Sequence, residues 1–578
     1  MLVTACAGTL PGLATATRSL RLSRDDIVAR AILIAVLLFL VLFLLAPMAS
    51  IFVLAVQDNH GNFIGIAHFT EYLASPALLT VVWNSVWVSA AVALISVPLA
   101  FIFAYALSRS CAPFKEAFRL VALIPLLAPS LLSAIAFIQW FGNQGVLKPV
   151  LAAMGISTIY GAPGIILSEV YNTFPHALMI LLPALSLADG RLYEAADSFG
   201  ASALRKFVTI TLPSCKYGLI SAATVVFTYV ISDFGAPKVI GGNFNMLSLD
   251  VFKQVVGQQN FSRGAVVGLL LLVPSIASFL IDSRVRRQLK SQLQARSVPY
   301  VVKPQRGFDA LMTAYCVLVC SLLLAVVGMA FWTSFIKLWP YDLSLSLRHY
   351  AFALVDGGLA PAYFNSLKMS LCVAFFGSIM VFVGAYLSEK TRGLVLIRPL
   401  MHLLAMLSMA VPGLVLGLGY IMFFNHPDNP LHFLYSTMVI LVLSVIVHYY
   451  TSSHLTAVTA LKQIDNEFEA VSASLRVSFY KTFFRVTLPV CLPAVLDIAR
   501  YYFVVSMATL SGVVFLYSPD TVLAAVAIMN LDEAGDLGPA AALASVTVLT
   551  SVAVCLLYAL ATRLLLRKTQ AWRNVARR

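Results

Sequence analysis

The chain has 578 residues, of which 60% are hydrophobic and only 11% are charged. This composition excludes an ordinary soluble globular protein and is typical of a polytopic membrane protein. The net charge of +14 could indicate a nucleic-acid partner, but most Lys and Arg lie in short segments on one predicted side of the membrane. We interpret the excess as positive-inside bias and expect a lipid bilayer, and no nucleic acid, around the chain.

Apolar runs of about 20 residues, enough for a helix to cross the bilayer, recur along the chain. The first part of the chain has six, near residues 29–56, 79–107, 120–141, 161–187, 213–234 and 264–281. The second part has six more, near residues 309–334, 364–387, 399–425, 434–458, 489–515 and 539–562. The sequence therefore predicts an all-α membrane protein with about twelve transmembrane helices.

These runs divide the chain into two membrane domains with basic segments around them. The predicted division is a cytoplasmic leader (1–28), a first transmembrane domain (29–283), a basic cytoplasmic linker (284–308), a second transmembrane domain (309–562) and a basic cytoplasmic tail (563–578). The positive charges before the first span and after the last place both termini in the cytoplasm of a bacterial-type cell.

The two domains repeat residues as well as hydropathy. Asn84-Ser85 leads to Ala104-Tyr105, and 281 positions later Asn365-Ser366 leads to Ala385-Tyr386 at the same spacing. Two tandem copies in parallel orientation predict a pseudo-two-fold axis along the membrane normal, with a path between the halves.

One short polar stretch, residues 191–213, lies between the fourth and fifth spans. Its apolar residues recur at helical spacing and predict one apolar helical face, formed by Leu192, Ala196, Phe199, Ala203 and Phe207. Gly200 interrupts the pattern and predicts a turn there. The stretch is thus predicted to be a helix–turn–helix at the membrane surface, and residues 468–489 repeat its frame 276 positions later.

The first stretch resembles the EAA loop of permeases from binding-protein-dependent ABC importers. That pattern is Glu-Ala-Ala, three residues, Gly, nine residues, Ile, one residue and Leu-Pro, and residues 194–213 match every fixed position. The second stretch departs from it. Ala470 stands where the first has Glu194, Arg476 replaces Gly200, and Glu469 comes one position early. The two loops therefore need not bind a partner equally well.

The resemblance implies two tandem permease domains in a bacterial inner membrane, working by alternating access. It implies that each loop docks on one subunit of a cytoplasmic ABC ATPase dimer, while a periplasmic binding protein delivers the ligand. The coupling residues carried over are Glu194, Ala195, Ala196, Gly200, Phe468, Glu469, Ala470 and Arg476. No Gly-Lys dipeptide occurs, so the chain has no Walker loop. We expect no catalytic residue, metal site or cofactor in this chain, and ATP and Mg²⁺ on the partner ATPase.

Fused two-domain permeases of this length resemble the iron(III), thiamine and 2-aminoethylphosphonate group. Residues 233–261 and the second loop are most similar to 2-aminoethylphosphonate permeases, which makes that compound the predicted substrate and iron(III) or thiamine the alternative. An ion-coupled secondary transporter is the alternative class, because it would also have twelve spans and two repeats. It would need coupling carboxylates at mid-membrane and no paired inner loops.

Ionisable side chains within spans are costly, roughly 2.5–3.5 kcal/mol at the bilayer centre, so each requires a reason. Asp233, at the end of the fifth span, either lines the substrate path or lies at the outer water interface beside Lys238. Glu169 and His176 in the fourth span leave the same two interpretations open. Other polar residues are expected to pair, namely Asp497 with Arg500 on one helix face, and Asn84 and Asn365 each with a neighbouring helix.

Overall fold

The computed structural model describes residues 24–57, 62–153, 155–186, 188–292, 300–351, 359–390, 396–465, 467–475 and 477–569. Most of these residues are helical, and the one sheet among them is a hairpin of β1 (Ile336–Leu338) and β2 (Asp342–Leu345). Most of the predicted leader, the centre of the linker and the end of the tail lie outside the described residues.

The first half contains fourteen α-helices in the described residues. They are α1 (Arg24–Leu40), α2 (Ala46–Ala55), α3 (Ala67–Leu73), α4 (Pro76–Arg109), α5 (Lys115–Ala122), α6 (Ser130–Phe141), α7 (Lys148–Ala153), α8 (Ala162–Ser186), α9 (Gly190–Ser198), α10 (Ala203–Lys206), α11 (Leu212–Ser232), α12 (Gly235–Ile240), α13 (Leu247–Phe252) and α14 (Phe261–Gln292).

The second half, from residue 306 onward, follows the same plan. Its helices are α15 (Arg306–Phe335), α16 (Leu359–Cys372), α17 (Ser378–Lys390), α18 (Ile397–Leu407), α19 (Gly413–Phe424), α20 (Met438–His448), α21 (Tyr450–Lys462), α22 (Glu467–Ser474), α23 (Phe479–Thr482), α24 (Leu488–Ala508), α25 (Ala524–Ala534) and α26 (Leu537–Thr569). Helix α8 and the bent pair α20–α21 begin and end 276 positions apart.

Nine helices in the described part of the chain are long and apolar enough to cross a membrane, and three bent pairs raise the number to twelve if each counts as one span. The predicted all-α fold is thus confirmed, but three predicted spans are not straight, and two of them bend sharply. The chain turns by 100° before α6 and by 110° before α19. Each break falls at an X-Pro pair, where Ala128 and Val411 are extended, because proline disfavours a helical residue before it.

The predicted starts of the fifth and eleventh spans are also wrong. A single helical segment runs from Ala203 to Ser232, and another from Phe479 to Ala508. Each passes through a π-helical turn, Phe207–Thr211 or Phe483–Thr487, without a break. The second arm of each polar loop is therefore the beginning of a membrane helix and not a separate surface helix.

The first span of each half packs against the other half. Helices α1 and α2 lie on α17, α18 and α19, while α15 lies on α4, α5 and α6. Hydrogen bonds fix both crossings, since Tyr420 Oη donates to the Phe43 carbonyl at 2.8 Å and Trp140 Nε1 donates to the Ala325 carbonyl at 3.2 Å. The two sequence repeats are therefore not two separate packing units.

Equivalent serines anchor the segment after each long span. The Leu247 amide donates to Ser85 Oγ at 2.7 Å, and the Ala524 amide donates to Ser366 Oγ at 2.7 Å. The neighbouring amides bond to the same segments, Asn84 to the Asn245 carbonyl at 3.1 Å and Asn365 to the Asp520 carbonyl at 3.0 Å. Asn84 thus joins α4 to a loop, and Asn365 joins α16 to the 3-10 turn Pro519–Thr521, so neither asparagine bonds to a second membrane helix as expected.

The glycine-rich start of α19 packs against the crossing span. A Cβ on Gly419 would lie 2.7 Å from the Pro47 carbonyl oxygen, which is too close for any side chain. We expect Gly419→Ala to cost about 1–3 kcal/mol of folding free energy through overpacking. The loss of stability is measured as a lower unfolding temperature, with unfolding followed by size-exclusion chromatography after heating.

The matched control is Gly328→Ala, since a Cβ there meets nothing within 4 Å. It should unfold at or above the wild-type temperature. Equal unfolding of both variants would contradict the crossing of α2 over α19.

Candidate functional sites: two loops and an interface cluster

The first loop, residues 189–211, is a helical arm, a turn and a second helical arm. Asp189 caps α9 by accepting a hydrogen bond from the Arg191 amide at 3.1 Å, and Ser202 caps α10 by accepting one from the Arg205 amide at 3.3 Å. Gly200 between them has φ +66°, a conformation that side chains with a Cβ adopt only under strain. The predicted turn at Gly200 is confirmed.

Much of the predicted apolar face of the first loop points away from the rest of the chain, although Phe207 packs on Phe101 and Tyr105, with ring centroids 6.1 and 5.7 Å away. Phe199 is 89% exposed and Leu192 is also exposed, whereas Tyr193, one position outside the predicted face, is buried. Leu475 occupies the position equivalent to Phe199 in the second loop, residues 465–487, and is also exposed. Both loops thus present an apolar side chain at their turns, which is the arrangement of a partner surface.

A buried cation attaches the first loop to the membrane body. The Arg109 guanidinium, at the end of α4, lies 4.9 Å from the ring centroid of Tyr193 and 4.5 Å from that of Tyr300. It also donates to the Leu185 carbonyl at 2.9 Å, while Tyr193 Oη and Thr211 Oγ1 are 2.8 Å apart. Stacking and hydrogen bonding together hold the back of α9.

The second loop uses an ion pair at the equivalent place. Lys390, 281 positions after Arg109, lies 3.4 Å from both carboxylate oxygens of Glu469 and donates to the Ile464 carbonyl at 3.1 Å. Glu469 stands 276 positions after Tyr193. It is therefore the counterpart of Tyr193 and not a displaced counterpart of Glu194, which explains why it comes one position early.

The predicted coupling residues differ in their access to a partner. Glu194, Ala195 and Gly200 are exposed and Ala196 is half-buried. Phe468 and Ala470 are exposed, Glu469 is mostly buried against Lys390, and Arg476 lies outside the described residues. Their coupling role stays a prediction, but the first loop presents its motif residues more openly.

The linker reinforces the first loop. Lys303 Nζ lies 3.2 Å from one oxygen of Asp197, and Lys206 Nζ lies 2.7 Å from the other. Hydrogen bonds from Lys206 and then Lys303 hold the pKa of the Asp197 carboxyl below its usual value. With the Tyr300 ring also on Tyr193, the linker contacts two sides of α9.

Asp233 follows the end of α11 and lies deep between the halves. Its carboxylate accepts a hydrogen bond from the Ala236 amide at 3.0 Å and faces the carboxyl of Glu169. Lys238, the neighbour expected from the sequence, forms an ion pair with Glu533 of the second half at 2.5 Å, and a role of Asp233 in the substrate path stays a prediction. Asp497 and Arg500 pair as predicted, at 3.1 Å.

Aromatic and hydroxyl groups surround the carboxyl pair. The His176 and Tyr229 rings are 4.6 Å apart, and the Tyr229 hydroxyl lies near both carboxyls. The second half contributes Tyr449 and Tyr501, whose rings are 6.1 Å apart. We call Glu169, Asp233, Tyr229, Tyr449 and Tyr501 the interface cluster. Sequence patterns marked its acidic residues but gave no signal for the tyrosines, of which Tyr449 and Tyr501 come from the other half of the chain.

A sequence profile of the binding-protein-dependent transport system inner membrane component family matches residues 96–291 and 380–570. The chain belongs to this family. It is thus the inner-membrane permease of an ABC importer with two tandem permease domains, and the alternative of an ion-coupled secondary transporter is wrong. The first match ends in α14 and the second begins in α17, so both loops lie inside matched regions.

Relatives differ in how much of the chain they match. The ferric transport system permease protein FbpB of Actinobacillus pleuropneumoniae is 26% identical over 95% of this chain and 81% of its own length. The sulfate transport system permease protein CysW of Escherichia coli is 24% identical over 43% of this chain and 87% of its own length. The spermidine/putrescine permease PotB of Haemophilus influenzae is 26% identical over 44% of this chain and 93% of its own length.

The exposed turn of the first loop gives a test of partner binding. We expect Phe199→Ser to weaken association with the partner ATPase by on the order of 2 kcal/mol, because an exposed aromatic at the centre of a contact carries much of the binding energy. Phe63→Ser is the matched control, since Phe63 is 78% exposed at the other end of the first span. The association is measured by co-purification of the ATPase with the permease at increasing salt concentrations. Equal retention of the ATPase by both variants would contradict docking at this turn.

The ion pair in the second loop gives a stability test. Lys390 and Glu469 side chains are 5% and 19% exposed, so Glu469→Gln leaves a buried charge without its partner. We expect a loss of about 3–5 kcal/mol, seen as a lower unfolding temperature. The double substitution Lys390→Met with Glu469→Leu should recover most of that loss, and additive losses would show that the two side chains act independently.

Proposed function

We propose that this permease carries iron(III). The observation that supports it is the match to a ferric permease along both halves, whereas the sulfate and polyamine permeases each match less than half of the chain. Physical chemistry agrees, since a carboxyl pair with phenols nearby attracts a highly charged cation and repels an anion such as sulfate. The prediction of 2-aminoethylphosphonate from sequence gains no support from these relatives and becomes a measured alternative, as does thiamine.

We further propose the partners and orientation that the family implies. A cytoplasmic ATPase dimer binds the two exposed loop turns, and a periplasmic binding protein delivers the ion at the opposite face. The basic linker then lies in the cytoplasm with both termini. ATP and Mg²⁺ belong to the ATPase in this proposal.

The helix that begins in the first loop gives a route from ATPase to substrate. One continuous helical segment joins the turn at Gly200 to Asp233, and it spans 30 residues or about 45 Å. A stiff helix transmits displacement of its end, so movement of the loop moves Tyr229 and Asp233 against Tyr449 and Tyr501. Because the first spans cross between halves, such movement changes the contact between the halves and not one half alone.

Reconstitution of the full chain with its ATPase and binding protein in liposomes tests the function. We expect ATP-dependent uptake of radioactive iron and stimulation of ATP hydrolysis by the iron-loaded binding protein. A chain carrying Gly200→Arg should lose both activities, because its turn requires φ near +66°. An inactive ATPase variant is the control for leakage.

Parallel uptake assays offer 2-aminoethylphosphonate, thiamine and spermidine. Uptake of one of these, with none of iron, would overturn the proposed substrate and keep the permease class.

A further inference from the structure

The Glu169 carboxyl is buried completely, and no N–H or hydroxyl group of the described residues donates to either of its oxygens. The Asp233 carboxyl faces it. Two such carboxylates repel each other when both are ionised, and leaving an ionised Glu169 without a donor in the membrane is costly. The arrangement therefore requires a positive charge between them, either a shared proton or a bound cation.

The cluster is buried but not completely enclosed. Asp233, Tyr229, Tyr449 and Tyr501 lie deep among protein atoms, yet each keeps part of its surface accessible. Glu169 lies seven residues from the start of α8, about 10 Å along the helix axis. The oxygen-bearing side chains thus belong to the membrane-spanning part of the chain and keep some access to solvent-sized groups.

The cluster does not follow the pseudo-two-fold symmetry. At the 276-residue offset, Glu169 corresponds to Val445 and Asp233 to Thr509. Conversely, Tyr449 corresponds to Thr173. One half supplies both carboxyls, and the other supplies two phenols. Packing alone gives no reason for such a division, because the surrounding helices repeat their lengths and anchors.

We propose that the interface cluster is a transit site for a hard metal cation, bound by the carboxylates of Glu169 and Asp233 and by phenol oxygens of the second half. The proposal rests on the proposed function, and it adds the residues that receive the ion. Oxygen ligands are those that hard cations prefer. Movement of the halves changes the distance between the carboxyls and the tyrosines, which would bind and release the ion in turn.

A transit site must bind weakly enough to release its ion. Among the described residues, no three His, Cys, Asp or Glu side chains meet in a group that could hold a metal ion. Two carboxyls supplemented by neutral phenols fit this requirement, since they attract a cation without enclosing it.

Direct binding is tested with Tb³⁺, a hard trivalent cation whose luminescence is sensitised by nearby tyrosine. The full-length chain in detergent should give saturable sensitised emission. We expect Glu169→Gln and Asp233→Asn each to lower the Tb³⁺ affinity by about 10–100-fold, the usual effect of altering a metal site. Tyr449→Phe should reduce the sensitised emission.

The matched control is Asp497→Asn, which removes a helix carboxylate paired with Arg500 at 3.1 Å outside the cluster. It should leave Tb³⁺ binding unchanged. Equal emission from wild type and both cluster variants would overturn the transit site and favour a shared proton.

Transport separates this role from a structural one. In the reconstituted importer, Glu169→Gln should abolish iron uptake while ATP hydrolysis stimulated by the loaded binding protein stays within about twofold, because the loops are unchanged and only the path is blocked. Iron uptake at the wild-type rate by Glu169→Gln would overturn the transit site and leave the proposed function intact. Absence of iron uptake by the wild type would instead overturn the proposed function, and the transit site for that ion with it.

Discussion

A buried cation at the end of a membrane helix holds each loop to the body of the protein. Arg109 stacks on Tyr193 in the first half, and Lys390 pairs with Glu469 in the second. The contacts differ in chemistry but occupy equivalent positions. Each half therefore attaches its loop at the same place with different residues. Because the loops are held from behind, their apolar turns remain free to meet a partner.

A continuous helix leads from each loop to the contact between the two halves. Ala203–Ser232 ends beside Asp233, and Phe479–Ala508 ends beside Thr509. The loops are nearly symmetric, whereas the groups at the far helix ends are acidic in one half and hydroxyl-bearing in the other. In the transport mechanism proposed above, equivalent helices of the two halves would therefore move different side chains, and the acidic half would favour a cation.

Several features could be predicted from sequence, and others could not. Gly200 marked its turn, because few residues other than glycine adopt a positive φ. The tandem repeat was visible from its fixed offsets. The bends before α6 and α19 were not predicted, although the sequence has Pro129 and Pro412 at these points. Hydropathy shows which segments are apolar, and it does not show the direction in which the following helix runs. The ion pair of Lys238 was not predicted, since its partner, Glu533, lies almost 300 residues away.

The sequence by itself determined the class of protein, its helices and its two loops, because each depends on local composition, periodicity or a short motif. Only the tertiary structure decided that first spans cross to the opposite halves, that Glu469 is held by Lys390, and that Tyr449 and Tyr501 lie near Tyr229. These contacts join segments far apart in the chain. They arise from how helices pack against one another. The spacing of residues along one helix does not show which side chains of a neighbouring helix will contact it.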